Sequence, residues 1–460
     1  MVNSADLARR DIEHVWHPYT QMKDCEKHPP IPIRSAKGVR LYDHDGKFYY
    51  DTISSWWCNV HGHGHPAIVR AIQEQAQTLE HVLFAGFTHE PAIECAEKLV
   101  SILPAGLGRI FYSDNGSTAV EVAMKMSFQY WQNTGSKKKM RFLALDMAYH
   151  GDTIGAMSVS GVDLFNQVFA PLFLDALKVP TPYCYRCPVG CKAGSCSMEC
   201  ADIMERTVRD NSEDLAAVII EPLLMGAGGM IVYPEEYLRR VRKVTAECGV
   251  HLIADEVATG FGRTGSMFAC GKAGIAPDIM CLSKGITSGY LPMGVTATTE
   301  DIFNAFYDDH ENKKTFYHGH TFTANPIACA AASASMRILM GMDVPGKVEA
   351  IRRRLSGFLD SFGSHPLVGD IRGIGVVGAM ELVKDRDKKT PFGIKERIGL
   401  DIYTQGLSDN LVLRPLGNII YFFLPISITE EEMSDMFGRA HKAISKVLDA
   451  WSKRGRGKER

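Results

Sequence analysis

The chain has no run of about 18 or more apolar residues, and its first ten residues (Met-Val-Asn-Ser-Ala-Asp-Leu-Ala-Arg-Arg) contain no hydrophobic stretch. Neither a membrane span nor a secretory leader is therefore expected. It also lacks a charge excess: 51 Lys and Arg stand against 53 Asp and Glu, which argues against nucleic acid or an anionic membrane as partner. The twelve cysteines are scattered, apart from one cluster, and a disulfide framework is not expected of a chain this long. A soluble, cytoplasmic protein with buried, reduced thiols follows as the expectation. At 460 residues the chain has enough length for a large core arranged as two lobes or about three domains.

The chemistry concentrates in Asp278-Ile279-Met280-Cys281-Leu282-Ser283-Lys284-Gly285. Ile279, Met280 and Leu282 read as a short buried strand that ends in a lysine. On its own such a lysine reads as a side chain that snorkels to water. Upstream, however, Val250-His-Leu-Ile-Ala-Asp255-Glu256 ends a second apolar strand in two carboxylates, before a loop punctuated by Gly260, Gly262 and Gly265. In an open α/β sheet ligands bind at the carboxyl ends of strands, so Asp255 and Lys284 project into one crevice. A desolvated amine is a nucleophile toward an aldehyde. An acid opposite it suits pyridoxal 5'-phosphate, whose ring nitrogen must stay protonated. The charge-assisted bond to that nitrogen contributes about 1.5–3 kcal/mol.

Other segments supply parts of the same site. The strand Arg109 to Asp114, the turn Asn115-Gly116-Ser117-Thr118 and a helix marked by Val120, Met124, Phe128 and Trp131 make a helix N-terminus suited to a phosphate. The strand Arg141 to Leu145 leads to Tyr149 and His150, an aromatic ring to stack on a planar cofactor and a polar edge, with Asp152 nearby. The strand 216 to 222 ends in Glu221. Strands alternate with helices from about residue 70 to 300, which predicts an α/β fold with a mostly parallel sheet. The helices and strands after about residue 335 predict a smaller α+β lobe. There, Arg414 at a strand end suits a substrate carboxylate. Gly319 and Thr321 offer contacts to another phosphate oxygen. The basic tail from Ser452 reads as solvated and structureless.

Three features have plainer readings. His61, His63 and His65 alternate with glycine, but that spacing gives no rigid ligand geometry and no acidic partner is close in sequence, so no metal is expected there. Cys184, Cys187, Cys191, Cys196 and Cys200 have gaps that suggest zinc only loosely, because no second Cys-x2-Cys exists; free thiols are the expectation. Trp16 to Met22, interrupted by Pro18, reads as an extended arm. Trp56 and Trp57 precede the histidine loop where a pocket wall belongs.

Together these segments resemble the class III aminotransferases of pyridoxal phosphate fold type I over nearly the whole chain. Ile253 to Gly265 is shared with the wider class, while Trp16-His-Pro-Tyr-Thr20, Ser54-Ser-Trp-Trp57 and Tyr149-His-Gly-Asp-Thr153 resemble the branch that aminates 8-amino-7-oxononanoate in biotin formation. The resemblance implies a large domain with a seven-stranded sheet and a smaller α+β domain, divided at 1–65 (arm and part of the small domain), 66–335 and 336–460. It implies that Lys284 carries the aldehyde and Asp255 the ring nitrogen. Gly116, Ser117, Tyr149, His150 and Glu221 would surround the cofactor, and Thr321 would reach the phosphate of a neighbouring subunit in a homodimer. Tyr19, Trp56, Trp57, Tyr149, Asp152, Arg263, Gly319 and Arg414 would line the substrate site, with Tyr19 among the catalytic groups. The segment His318-Gly319-His320-Thr321 has histidine where the S-adenosylmethionine-using members have proline. That departure resembles a branch whose donor is lysine, whereas the paired tryptophans point to S-adenosylmethionine, which is the donor expected. Another ω-aminotransferase of the class, acting on ornithine, 4-aminobutyrate or a diamine, is the alternative.

Overall fold

The computed structural model describes residues 3–192 and 195–456. Its largest sheet has seven strands: β1 (Leu107–Ser113), β2 (Arg141–Leu145), β3 (Ala176–Val179), β4 (Leu215–Ile220), β5 (His251–Asp255), β6 (Ile279–Leu282) and β7 (Gly294–Thr299). They lie in the order β1-β7-β6-β5-β4-β2-β3. Only β7 runs against the rest, pairing antiparallel with both β6 and β1; the other pairs are parallel. Every residue of β4, β5 and β6 is buried, as expected of strands covered by helices on both faces.

Register decides what reaches the site. Ile253 pairs with Ile279 and Asp255 with Cys281, so the carboxylate of β5 and the lysine just past β6 emerge at the same edge. Beside them, Gly116–Asn133 is a helix closed at its start by a reciprocal cap between Asn115 and Thr118. Its Val120 and Met124 are buried as the periodicity predicts, whereas Phe128 is largely exposed.

The smaller lobe is built from both ends of the chain. Val368–Ile374, Val377–Asp385 and Ile419–Phe423 form an antiparallel sheet covered by Val344–Asp360 and the long helix Glu430–Arg456. The N-terminal strands Arg40–Asp43 and Phe48–Tyr50 form a hairpin, turning at Gly46. Tyr50 then bridges to Leu411, and Phe423 N donates to Thr52 O.

Two expectations are corrected. The tail is helical from Ser452 to Arg456 rather than structureless, because the amphipathic helix simply continues; residues 457–460 lie outside the described part. Arg414 does not end a strand: only Leu411 forms a bridge, and 412–415 run as irregular chain. Among the described residues no single helix is long and apolar enough to cross a membrane.

Gly294 opens β7 where a Cβ would stand 2.1 Å from Asn115 O, the residue that caps the helix Gly116–Asn133. Gly294→Ala should cost about 1–3 kcal/mol by overpacking, read as a lowered thermal midpoint. It should also weaken retention of the expected cofactor, which Ile444→Val, a buried change in the long C-terminal helix, should leave unchanged.

Candidate active site

The ends of β1, β2, β4, β5 and β6 converge on one crevice, and each delivers one functional group. Lys284 opens the short turn Lys284–Thr287 in the left-handed region, at φ +43°. Its Nζ lies 4.6 Å from the centroid of the Trp57 ring and donates to no described residue. Burial pushes its pKa below the ordinary lysine value, although Cys58, Asp255 and Glu221 pull the other way. The amine is thereby shifted toward its nucleophilic form.

Two buried carboxylates face it. Asp255 Oδ1 accepts from Val257 N at 3.1 Å, and Oδ2 lies 2.7 Å from His150 Nδ1. The other ring nitrogen of His150 is buried and unpartnered. Glu221 accepts from Tyr149 N (3.0 Å) and Gly226 N (2.9 Å). Burial and the neighbouring Asp255 push its carboxyl up to about 8 despite those donors and Lys284. Asp255 is the acid placed for a ring nitrogen, while Glu221 holds the Tyr149 backbone.

The anion seat lies at the helix start. With Asn115 capping Thr118 N, the N–H groups of Gly116 and Ser117 are left for an external acceptor. Ser117 Oγ meets Thr153 Oγ1 at 2.7 Å and accepts from Thr153 N at 3.1 Å. Side chains are excluded around this turn: a Cβ on Gly116 would come within 2.8 Å of Val257, and one on Gly151 (φ +127°) within 2.3 Å of Ser117 Oγ. An amine, an opposed acid and a helix N-terminus at three sides of one crevice fit pyridoxal phosphate.

At the mouth, Tyr19 Oη donates to Asp152 at 2.6 Å and meets Tyr149 Oη at 3.1 Å. Burial, with the Asp152 hydrogen bond, pushes Tyr19 up to about 12, and Tyr149 is raised further by burial and by its bond to Tyr19. Tyr19 also meets Trp56 edge-on at 5.7 Å. The Arg414 guanidinium lies 4.8 Å over the Trp56 ring and forms no ion pair with any described residue.

The tryptophans ride on an unusual backbone. Ser54, Ser55, Trp56 and Trp57 have φ of +49°, +43°, +71° and +74°, a left-handed turn without glycine, which costs about 1–2 kcal/mol per residue. Polar anchors offset that strain. Ser54 Oγ donates to Phe423 O and Ser55 Oγ to Asp51, while Arg263 donates to Trp57 O at 2.9 Å and Leu424 O at 2.7 Å. Asp51 is buried; burial alone would raise its carboxyl, but bonds from His63 and Ser55 hold it below the usual range.

Several expectations change here. Arg263 is only 1 % exposed and holds the turn from beneath through Trp57 O and Leu424 O. Trp57 is also buried and stacks on Phe423 at 5.6 Å, leaving Trp56 as the tryptophan that faces outward. Gly319 and Thr321 are exposed, and the adjacent His318 sits 2.9 Å from Lys125. An acidic partner does exist for the histidine loop: Asp51, distant in sequence from His63, lies 2.9 Å from it. The five clustered cysteines line one small cavity of about 50 Å³ with Tyr183 and Tyr237. All are free thiols, and among the described residues no three His, Cys, Asp or Glu side chains are placed to hold a metal ion.

Glu221 gives the cofactor-free protein a pH signature. Its folded pKa is raised, so its contribution to stability is present below the unfolded value near 4.5 and is lost as pH rises through about 8. Glu221→Gln should flatten the fall of the thermal midpoint between pH 5 and 8, whatever its absolute midpoint. An unchanged slope would show the carboxyl ionised throughout.

The model of the class-III aminotransferases matches residues 22–444. An adenosylmethionine-8-amino-7-oxononanoate aminotransferase of Geobacter sulfurreducens is 46% identical over 443 residues, covering 95% of this chain and 97% of its own. The crystal structure of the enzyme of that name from Methanocaldococcus jannaschii is 39% identical with a TM-score of 0.90, covering 96% of this chain and 98% of its own. An (S)-enantioselective ω-transaminase from Thermomicrobium roseum is 31% identical with a TM-score of 0.92, covering 97% and 99%. With the opposed amine and acid at the sheet edge, these likenesses establish that the chain belongs to the class-III aminotransferases and works with pyridoxal 5'-phosphate.

Proposed function

We propose that the protein aminates 8-amino-7-oxononanoate to 7,8-diaminononanoate, with S-adenosylmethionine as the amino donor. The observation that carries this reading is the mouth of the crevice. The unpaired Arg414 over Trp56 offers a fork for the carboxylate of a long keto acid, while the Tyr19–Asp152–Tyr149 cluster offers polar contacts for an amine. The relatives of 46% and 39% identity bear the name of that reaction. The ω-transaminase likeness favours, as second reading, an ω-amine substrate.

When bound, pyridoxal 5'-phosphate supplies an aldehyde to carry the amino group and a ring to spread the charge left by a departing Cα proton. Lys284 would hold that aldehyde, and its amine, shifted by burial toward the neutral form, would be the group that accepts and donates the proton at the substrate Cα. Asp255 would keep the ring nitrogen protonated, with His150 orienting Asp255. Gly116 and Ser117 would take the phosphate, and Tyr149 would stack on the ring. Glu221, its carboxyl pushed up by burial and by Asp255, fixes the Tyr149 backbone. The Trp57 ring, 4.6 Å from the amine, gives it an apolar wall on one side.

We place the domain boundaries at 1–65, 66–335 and 336–460; the bonds from the N-terminal strands to residues 407–423 support grouping the first with the last. A homodimer accounts for the exposed Leu83, Phe87, Tyr317 and Phe322 and would allow Thr321 to reach a partner's phosphate. A cytoplasmic setting suits the free thiols.

The reading is tested by supplying the keto acid and comparing S-adenosylmethionine with lysine and with a simple diamine as nitrogen source; product formed only with the diamine would sink it. Lys284→Ala should abolish the near-visible cofactor absorbance and all turnover. Arg414→Ala should raise KM for the keto acid about ten-fold or more, the scale of a lost charge-assisted bond, with cofactor retention unchanged.

A further inference from the structure

The left-handed tryptophan turn and the lysine turn are both held in positive-φ backbone, and a chain of hydrogen bonds runs from one to the other. Ser55 Oγ donates to Asp51 Oδ2 at 2.7 Å, and His63 Nε2 lies 2.9 Å from the same oxygen. A carboxylate only accepts, so Nε2 carries the hydrogen and Nδ1 is left as an acceptor. Nδ1 faces Asn59 Nδ2 at 3.4 Å, and that amide also donates to Ser288 O at 3.2 Å. Ser288 (φ +52°) closes the turn that Lys284 (φ +43°) opens.

We propose that His63 is a positioning residue that sets the tryptophan turn in register with the lysine turn, fixing Trp56 relative to the Lys284 amine. The inference rests on the roles of Lys284 and Trp56 given above. His63 suits this task because its side chain must donate at one end and accept at the other across a fixed span. Its own backbone is pinned independently: His63 N donates to Gly38 O and Gly38 N to His63 O, at 2.7 and 2.9 Å. Flanking Gly62 and Gly64 take φ of +69° and +68°, which lets the loop turn the imidazole inward. The Asn59 amide is held against Gly289, where even a Cβ would come within 3.1 Å. Each link is therefore placed by backbone that does not depend on the imidazole, so removing the ring cuts the relay without dismantling the loop. The chain has a direction: a replacement restores it only by offering a donor to Asp51 and an acceptor to Asn59.

The experiment compares His63→Gln with His63→Leu in the cofactor-loaded enzyme. Glutamine offers an N–H and a C=O at a spacing close to that of the two imidazole nitrogens, whereas leucine fills the volume and offers neither. With His63→Leu the cofactor band should persist, while kcat/KM for the keto acid falls roughly ten- to hundred-fold, the scale of an ångström-level misplacement. His63→Gln should recover most of that loss. Ser55→Ala, which cuts the same relay at its far end, should add little when combined with His63→Leu. Equal activity of the Gln and Leu variants, or losses that simply multiply with Ser55→Ala, would overturn the proposal. If His63→Leu does not accumulate as loaded enzyme, His63→Phe, which keeps a ring and offers neither group, takes its place in the comparison with His63→Gln. Loss of the cofactor reading itself would show separately, as a band that survives Lys284→Ala.

Discussion

A primary amine only partly open to water, beside two buried carboxylates, is the interaction on which the rest of this structure depends. In an apolar wall the ammonium form of Lys284 is penalised, and the acids restore only part of what burial removes. That balance makes the side chain reactive without making it a stable ion pair. Sheet register then does the placing: the pairing of Asp255 with Cys281 puts acid and amine at one edge without any loop having to fold precisely.

The second constraint is backbone strain beside that edge. Four non-glycine residues in left-handed geometry persist only because their surroundings over-determine them. Arg263 is one such support. A fully buried guanidinium with no carboxylate in ion-pair reach donates to two carbonyls, and burial drives its pKa down to about 9 although Cys58 and Asp51 pull it up. An arginine in a Gly-rich motif near a catalytic acid invites a substrate role, yet here it acts through the tryptophan turn.

What the sequence revealed follows physical range. Strand ends, the capped helix after Ser113 and the pairing of Asp255 with Lys284 were legible because each has a local signature: an apolar run, a Gly-Ser-Thr turn, a charge where burial is costly. The left-handed turn was not, since Ser-Ser-Trp-Trp carries no glycine to announce positive φ. Asp51 and His63 were missed as a pair because the loop between them hides their approach, and the support Arg263 gives the turn was hidden because its partners at Trp57 and Leu424 are 206 and 161 residues away in sequence. Local pattern reports on neighbours in the chain; the supports of this site are neighbours only in space.

The small lobe draws its strands from both termini, and this bears on how the molecule is made. Ser54 bonds to Phe423 across a separation of 369 residues, and Trp57 rests on Tyr421 and Phe423. On the ribosome the large sheet emerges whole while the partners of Ser54 to Trp57 are still untranslated. Contacts of such separation are late and slow to form, so the nascent protein carries its lysine and acid long before it can close the aromatic wall beside them. Competence therefore arrives with the last segment of the chain, and a message truncated before that point would yield a lobe with a crevice but no finished pocket.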